Sequence, residues 1–458
     1  MSAKKVKTPT VVAVEEKLDF KKILPIFVVV MVDLLGLTII IPLLPLYAAA
    51  LQVSPFMIGV LNAVYPVAQL IGAPILGRLS DRYGRKPVLI ASQLGTLLGF
   101  LVLGFANSFA LLFVSRLIDG FSGGNISTAQ AMMADSTTEK TRTQGLGLIG
   151  AAFGLGFTVG PVIAFASLAL SGNNYRAPAF IAALFSLASV LLSIFWLKET
   201  QDPTHRSKAV TTSIFNPAAL FKALGNPQVG LLLLLAFAQQ FAFGGFENVI
   251  PLFTVSRLGL NASGNALVFV FVGIIVVAVQ GGLIGQWSRR YGERKLIFAG
   301  LALLAVALAL TALTPSVPAP WYSHSELQAE LHATQSGAPT TQTSAQVILP
   351  ADTNKGWSGL TWLLIAMIPA SIGAGILQPS INSLITKRVT PQQRGEMLGT
   401  SAALVSAANV LAPLVGFALF QAVSISSPFW LWAVVMAGLF VWAWQRLKPG
   451  REVMVGAS

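Results

Sequence analysis

The chain has 458 residues, of which 54% are hydrophobic and only 10% charged, and its mean hydropathy is +0.73. Soluble domains carry about 25% charged residues, so this composition excludes a soluble globular protein and indicates a chain that lies mostly in lipid. The sequence holds no cysteine, which excludes disulfides and cysteine-based metal sites, and its formal net charge is +13.

Twelve apolar segments are long enough to cross a membrane, since a spanning helix needs roughly 20 mostly apolar residues. Start signals precede two of them, at Ser54-Pro55 and Lys86-Pro87. The sequence therefore predicts an all-α polytopic membrane protein with twelve transmembrane helices. The spans are 23–50, 54–77, 87–106, 109–134, 143–170, 178–197, 228–256, 262–287, 295–314, 358–386, 394–421 and 428–446.

Lysine and arginine are concentrated in the N-terminal tail 1–22 and in alternate connections between the spans. The opposite connections hold only Arg176, Arg257 and Lys355. By the positive-inside rule, both termini are expected in the cytoplasm, and the first span is expected to be an uncleaved anchor. Topology thus accounts for the net charge, and we expect no nucleic-acid partner.

The sequence repeats itself once. The basic stretch 77–86 recurs in part as Gly285, Ser288, Arg290, Tyr291, Gly292 and Arg294, and a second set, Arg142, Gly147 and Pro161, recurs as Arg394, Gly399 and Pro413. This predicts two pseudo-symmetric six-helix bundles, 23–197 and 228–446, joined by a linker 198–227 and followed by a cytoplasmic tail 447–458. Membrane domains built from two related halves are typical of transporters.

The second repeat is offset further along the chain than the first, which requires an insertion in the second half. The polar stretch 315–357 has the necessary length. We expect a flexible loop outside the cell with a short helix at 325–333. A sensing or partner-binding role for this loop stays open as the alternative.

Four charged residues lie well inside predicted spans, away from the span ends, where a charge costs about 2.5–3.5 kcal/mol on insertion scales, so each is a functional candidate. Asp33, near the middle of the first span, is expected to load and release a proton as water access alternates. Arg116 and Asp119 share one helix face and can pair. Glu247 lies toward the outer end of the seventh span, where it attracts a cation, carries a proton or is a solvated rim residue. The alternatives are a permanent Asp33–Arg116 pair and a static Arg116–Asp119 pair.

Polar side chains form stripes on other spans. In a mostly apolar cavity such groups bind amphipathic molecules, or they bond neighbouring helices together, which we favour for the second-span stripe. The candidates are Asn62, Tyr65 and Gln69 on the second span, Gln240 and Phe243 on the seventh, and Gln378 and Asn382 on the tenth.

The basic stretch between the second and third spans is expected to form an inner gate. Gly77 permits close helix approach, and the anionic Asp81 suits the N-terminus of a helix in the other half. Arg82 and Arg85 are expected to pair with carboxylates such as Asp135. The gate also includes Gly84 and Lys86. In the second copy Arg289 replaces Asp81 and Glu293 replaces Arg85, so we expect the latch on one side only. The alternative is plain positive-inside topology.

The fifth span carries glycines on two faces and a proline. Two glycine faces let two helices pack tightly, so this helix is expected to seal the path between inward and outward states. Ordinary small-residue packing is the alternative. The residues are Gly150, Gly154, Gly156, Gly160 and Pro161.

Twelve spans, two halves and the stretch 77–86 together resemble the major facilitator superfamily (MFS). Three further motifs restrict the resemblance to one subgroup of this superfamily. They are Asp33 ahead of Ile-Pro-Leu-Leu-Pro at 41–45, Arg-Leu-Ile-Asp-Gly at 116–120 and the glycine run 150–161. They are similar to the twelve-helix drug:proton antiporters, closest to the tetracycline-efflux type. Asp119 and Glu247 depart from that pattern.

The resemblance implies the MFS fold with the first, fourth, seventh and tenth helices around a central cavity, and it places the partner of Asp81 near Pro391-Gln392-Gln393. It implies proton-coupled efflux of small amphipathic compounds across the inner or plasma membrane. The energy source is then the proton gradient, without cofactor or metal, and the chain works in the lipid bilayer as a monomer. The sequence carries no enzyme constellation. An importer or glycolipid flippase on the same fold, or a non-transporting receptor, are the alternatives.

Overall fold

The computed structural model describes residues 19–138, 141–201, 222–333, 348–390 and 393–447, and these contain helices but no strand. The predicted linker falls mostly outside this part of the chain, as do most of the N-terminal tail and nearly all of the C-terminal tail. The helices of the first half are α1 (Phe20–Ile40), α2 (Leu44–Ala50), α3 (Pro55–Tyr83), α4 (Arg85–Gly104), α5 (Phe109–Ser122), α6 (Asn125–Asp135), α7 (Arg142–Ser171) and α8 (Arg176–Phe195).

The described part of the second half contains eight further helices, of which six are long and two are short. A π-helical turn at Val279–Leu283 joins the helix Ala262–Ala278 to the short helix Ile284–Tyr291. The helices are α9 (Gly230–Leu258), α10 (Ala262–Ala278), α11 (Ile284–Tyr291), α12 (Glu293–Ala312), α13 (His324–Ala333), α14 (Ser358–Arg388), α15 (Arg394–Ala422) and α16 (Ser427–Arg446). Helix α13 confirms the short helix predicted in the insertion.

Eleven helices are long and apolar enough to cross a membrane. The remaining predicted span, 109–134, is divided into α5 and α6 by Gly123 and Gly124. A Cβ on Gly124 would lie 2.4 Å from the backbone nitrogen of Ala73, so glycine is required where this break packs against α3. The all-α membrane fold is thus confirmed, and the count is twelve when α5 and α6 are taken as one span.

The basic stretch 77–86 is not the loop that the sequence suggested. Helix α3 continues to Tyr83, and only Gly84 interrupts the chain before α4, at φ 107. The second copy is the same, since α11 runs to Tyr291 and Gly292 has φ 78. Hydropathy detects only the lipid-immersed part of a helix, whereas the backbone stays helical until a residue without a Cβ adopts positive φ.

We call the side of the molecule that carries Gly84 and Gly292 the basic side, and the other the opposite side. Toward the opposite side the two halves touch through α3 with α15 and α7 with α10. The backbone N–H of Phe56 donates to Oε1 of Gln421 at 2.8 Å. The hydroxyl of Thr158 donates to the carbonyl of Gly273 at 3.4 Å.

On the basic side these helices diverge. A Cβ added at any of five glycines there would meet no described atom within 4 Å outside its own helix. These glycines are Gly147 and Gly150 in α7, Gly281 and Gly282 in the π-helical turn, and Gly399 in α15. The space between the halves therefore opens toward the basic side.

Candidate functional site

The site in the first half starts with Asp33 in α1. Nδ2 of Asn125 donates to Oδ2 of Asp33 at 3.0 Å. Asn125 is buried and is the first residue of α6, so the glycine break before it places this amide against α1. Oδ1 of Asp33 has no hydrogen-bond partner in the part of the chain that the structure describes.

A second buried charge group lies on α5. Nη1 of Arg116 lies 3.1 Å from Oδ2 of Asp119, and both side chains are 3% exposed, so the predicted pair is formed. The guanidinium also lies 5.7 Å from the ring centre of Phe100. Among the described residues no ion pair joins Arg116 to Asp33, so the alternative of a permanent Asp33–Arg116 pair is wrong for this conformation.

Asp33 and Asp119 line the same small cavity, together with Tyr65 from α3, Thr96 from α4 and Asn125. Two carboxylates therefore face one cavity with three uncharged polar side chains, and only Asp119 of the two is paired with Arg116 among the described residues. Nε and Nη2 of Arg116 lack hydrogen-bond partners within the described ranges. Buried polar groups are normally satisfied, so such a cluster is typical of a site whose partners change during function.

The stripe on α3 mainly supports this cluster. Nε2 of Gln69 donates to the carbonyl of Gly123 at 3.0 Å, next to the break in the fourth span. A Cβ on Gly123 would lie 2.4 Å from the hydroxyl of Tyr65, so the two helices are in close contact. Nδ2 of Asn62 is buried without a described partner. Gln69 thus bonds two helices together, which is the role that the sequence analysis favoured for this stripe.

In the second half, Nε2 of Gln240 in α9 donates to Oδ1 of Asn409 in α15 at 2.7 Å. The ring of Phe243 stacks on Phe246 at 6.0 Å between centroids. Oε1 of Gln378 and Oδ1 of Asn382 are buried and lack partners within the described ranges. Glu247 is partly buried and forms no ion pair with a described cation. The unpartnered amides on α14 are therefore the polar groups here that are free to meet a ligand.

On the basic side of the first half, Arg85 is the centre of the predicted gate. Its Nε lies 3.1 Å from Oδ2 of Asp135, and its Nη1 bonds both Asp81 and the hydroxyl of Ser80. Arg82 makes no such pair: it is exposed and lies over the ring of Tyr83. The prediction of an Asp135 pair is confirmed for Arg85 and is wrong for Arg82, because the helix turns Arg82 outward.

Glu199 completes this cluster, and sequence reasoning missed it. Its carboxylate accepts the backbone N–H groups of Arg85 at 3.0 Å and Lys86 at 3.1 Å. A carboxylate at the N-terminus of α4 accepts hydrogen bonds from N–H groups that have no partner within the helix, and its negative charge interacts favourably with the helix dipole. The predicted contact of Asp81 with the other half is untested, since Pro391 and Gln392 lie outside the described residues, and it stays a prediction.

The second half contains the same cluster with its charges exchanged. Glu293 lies at the repeat position of Arg85, and its Oε1 contacts Nζ of Lys387 at 2.6 Å. The hydroxyls of Ser288 and Ser383 donate to the same oxygen at 3.1 Å. The contacts inside the two bundles are thus alike, because replacing both partners preserves the attraction, and the expectation that the latch to the other half lies on one side only stays a prediction.

Only one glycine face of α7 is packed. A Cβ on Gly160 would lie 2.3 Å from Oγ1 of Thr38, and one on Gly156 would lie 3.4 Å from Cγ2 of the same residue. On the other face Gly150 has no neighbour within 4 Å, and Gly154 has only Gln280. The expected second tight contact is absent from this conformation, because α10 and α11 diverge from α7 there. Helix α7 runs without interruption through Pro161.

Comparison with known proteins agrees with this architecture. The family model described as Major Facilitator Superfamily matches residues 26–332 and 336–455. The chain is 26% identical over 419 residues to the class B tetracycline resistance protein of Escherichia coli, covering 90% of this chain and 91% of that protein. It is 26% identical over 404 residues to multidrug resistance protein 1 of Bacillus subtilis (strain 168), covering 88% and 90%.

Among solved structures, the human organic anion transporter MFSD10 (TETRAN) is similar with a TM-score of 0.58. The sequence identity is 22%, and the match covers 92% of this chain and 98% of that one. At this identity the similarity concerns the fold alone.

Proposed function

Since the chain belongs to the major facilitator superfamily, and is therefore a multi-pass membrane transporter and not an enzyme, we propose that it exports small amphipathic compounds in exchange for protons. The observation that carries the proposal is one small cavity lined by both Asp33 and Asp119, of which only Asp119 is paired with Arg116 in the described residues. A purely structural ion pair needs one carboxylate for one arginine, whereas a proton carrier needs an acid whose charge state can change.

The geometry supplies a physical route for coupling. Asp33 is held by a neutral amide and not by a fixed cation, so its protonation breaks no ion pair. Arg116 stays neutralised by Asp119 in either state of Asp33. A proton on Asp33 therefore changes the net charge of the site by one unit without leaving a second charge buried alone.

The substrate class follows from the lining between the halves. The helices that carry Asn62, Gln378 and Asn382 are mostly apolar, and these three amides are buried there without partners in the described residues. A mostly apolar site with few polar groups favours amphipathic molecules of moderate size. Glu247 adds one carboxylate on α9, which favours substrates that carry a positive charge.

The conformation suits the proposed direction. By the positive-inside rule the basic side faces the cytoplasm, and both termini lie there. The open space between the halves then receives substrate from the cytoplasm, and alternating access moves it to the opposite side. No second chain is needed for this cycle, so we propose that the monomer transports.

The test uses purified protein in proteoliposomes with a pH-sensitive dye and an imposed pH gradient. Asp33→Asn is expected to abolish gradient-driven transport while substrate still binds, because the amide has the shape of the acid and holds no exchangeable charge. Glu326→Gln, at an exposed carboxylate outside the spans, is the matched control and is expected to transport normally.

Two results would contradict the proposal. Undiminished proton movement on substrate addition in Asp33→Asn would remove Asp33 from coupling. Substrate and protons that move in the same direction in the native protein would identify an importer instead of an exporter.

A further inference from the structure

The insertion 315–357 belongs to the second half by sequence, yet its helix packs on the first half. Helix α13 contacts α2, and Leu327 is 4% exposed in the same hydrophobic cluster as Leu46 and Tyr47. The described part of this insertion is therefore a built element of the opposite side, close to the boundary between the halves.

Glu330 on α13 lies at that boundary. Nδ2 of Asn173 donates to Oε2 of Glu330, and the hydroxyl of Tyr175 donates to Oε1, each at 3.1 Å. Both donors come from the connection between α7 and α8 in the first half. The side chain of Asn261 and the backbone N–H of Ala262, at the start of α10 in the second half, also hydrogen-bond this carboxylate.

One carboxylate thus holds donors from both halves together. It accepts an orphan N–H at the N-terminus of α10, where the helix dipole favours negative charge. Ser263 in the first turn of the same helix donates to Oδ1 of Asn173, which extends the contact. If the halves separate on this side, the carboxylate loses its donors from one half.

The contact between α3 and α15 on the opposite side has a different character. There a neutral amide, Gln421, accepts the N–H of Phe56 at the start of α3. The charged contact lies at the α7–α10 pair, where Glu330 of the insertion bonds donors from both halves. The insertion therefore adds a charged contact to the α7–α10 pair, whereas the contact described at the α3–α15 pair is neutral.

We propose that Glu330 is a latch that keeps the opposite side closed while the basic side is open, and that it must release before the carrier can face outward. Burial raises the pKa of the Glu330 carboxyl despite its four donors. The ionised group therefore loses part of its hydration when the latch forms, which keeps the contact reversible. The latch builds on the transporter function but is independent of the direction of transport and of proton coupling.

The test measures distances between two spin labels on the opposite side, in lipid nanodiscs without substrate or gradient. The chain has no cysteine, so single cysteines at Phe105, after α4, and Val423, after α15, can carry the labels. Glu330→Ala is expected to raise the population of longer distances roughly tenfold, because the buried hydroxyl of Tyr175 and the partly buried amide of Asn173 lose their acceptor.

Three further variants make the result specific. Tyr175→Phe removes a single donor atom and is expected to shift the distances in the same direction. Asn173→Gly is expected to do the same, since Asn173 has φ 60, a backbone that glycine adopts without strain. When either change is combined with Glu330→Ala, the distances are expected to shift little beyond the shift that Glu330→Ala causes alone. Glu326→Ala, exposed on the same helix, is the matched control and is expected to leave the distances unchanged.

Unchanged distances in both Glu330→Ala and Tyr175→Phe would overturn the latch, as would an equal shift in Glu326→Ala, which would indicate a general weakening of α13. Since no transport is measured, these outcomes test the latch separately from the proposed efflux. If Glu330→Ala does not fold, Tyr175→Phe and Asn173→Gly decide the matter by themselves.

Discussion

Replacing Gly160 by alanine tests the packing of α7 against α1 with one methyl group. The added Cβ would lie 2.3 Å from Oγ1 of Thr38 and 2.8 Å from its backbone carbonyl carbon. Carbon atoms pack at about 3.5–4.0 Å, so the two helices must separate by roughly 1 Å. Overpacking of this kind costs typically about 1–3 kcal/mol. The free energy of unfolding, measured by SDS titration in mixed micelles, is expected to fall by that amount.

Gly150→Ala is the matched control on the same helix. A Cβ there meets nothing within 4 Å, and alanine favours helix over glycine by roughly 0.5–1 kcal/mol. Stability is therefore expected to be unchanged or slightly higher. Transport is nevertheless expected to fall, because this face of α7 must approach α10 and α11 when the basic side closes.

The comparison of the two variants decides the reasoning. Equal stability of Gly160→Ala and the native protein would show that α1 and α7 are not in the close contact described here. Full transport activity in Gly150→Ala would show that the open glycine face has no part in closing the basic side.

Three further predictions concern the basic side and the topology. Lys387→Glu is expected to impair folding or transport, because it places two carboxylates side by side. The double variant Glu293→Lys with Lys387→Glu restores an ion pair and is expected to restore both yield and transport. If the double variant stays impaired, the two residues do not act as an ion pair. Asp81→Asn is expected to lower turnover and leave substrate affinity within a few-fold. The reason is that its contact with a helix terminus, worth about 0.3–1 kcal/mol, forms in one conformation only. A longer distance between labels on the basic ends of the two halves would support this prediction, and an unchanged distance would refute it. A single cysteine at Ser336 is expected to react with an impermeant reagent from outside, and labelling from inside alone would reverse the topology.

Local signals in the sequence predicted much of this protein. The spans follow from hydropathy and length, and the Arg116–Asp119 pair follows from a spacing of three residues on one helix. The contact of Arg85 with Asp135 was also predicted, since both residues lie at ends of spans expected on the same side of the membrane. Each of these predictions depends either on residues a few positions apart or on the rule that successive connections alternate between the two sides of the membrane.

What only the tertiary structure decided depends on residues far apart in the chain. The sequence marked Asp33 but not its partner Asn125, which reaches α1 because Gly123 and Gly124 break the fourth span. It marked the glycines of the fifth span but not that one face packs on Thr38 while the other is open, since that depends on how the halves are placed. Glu199 and Glu330 lie in polar connections and carried no pattern at all. Their roles come from the donors that the fold brings to them, because a hydrogen bond depends on distance in space and not on separation in sequence.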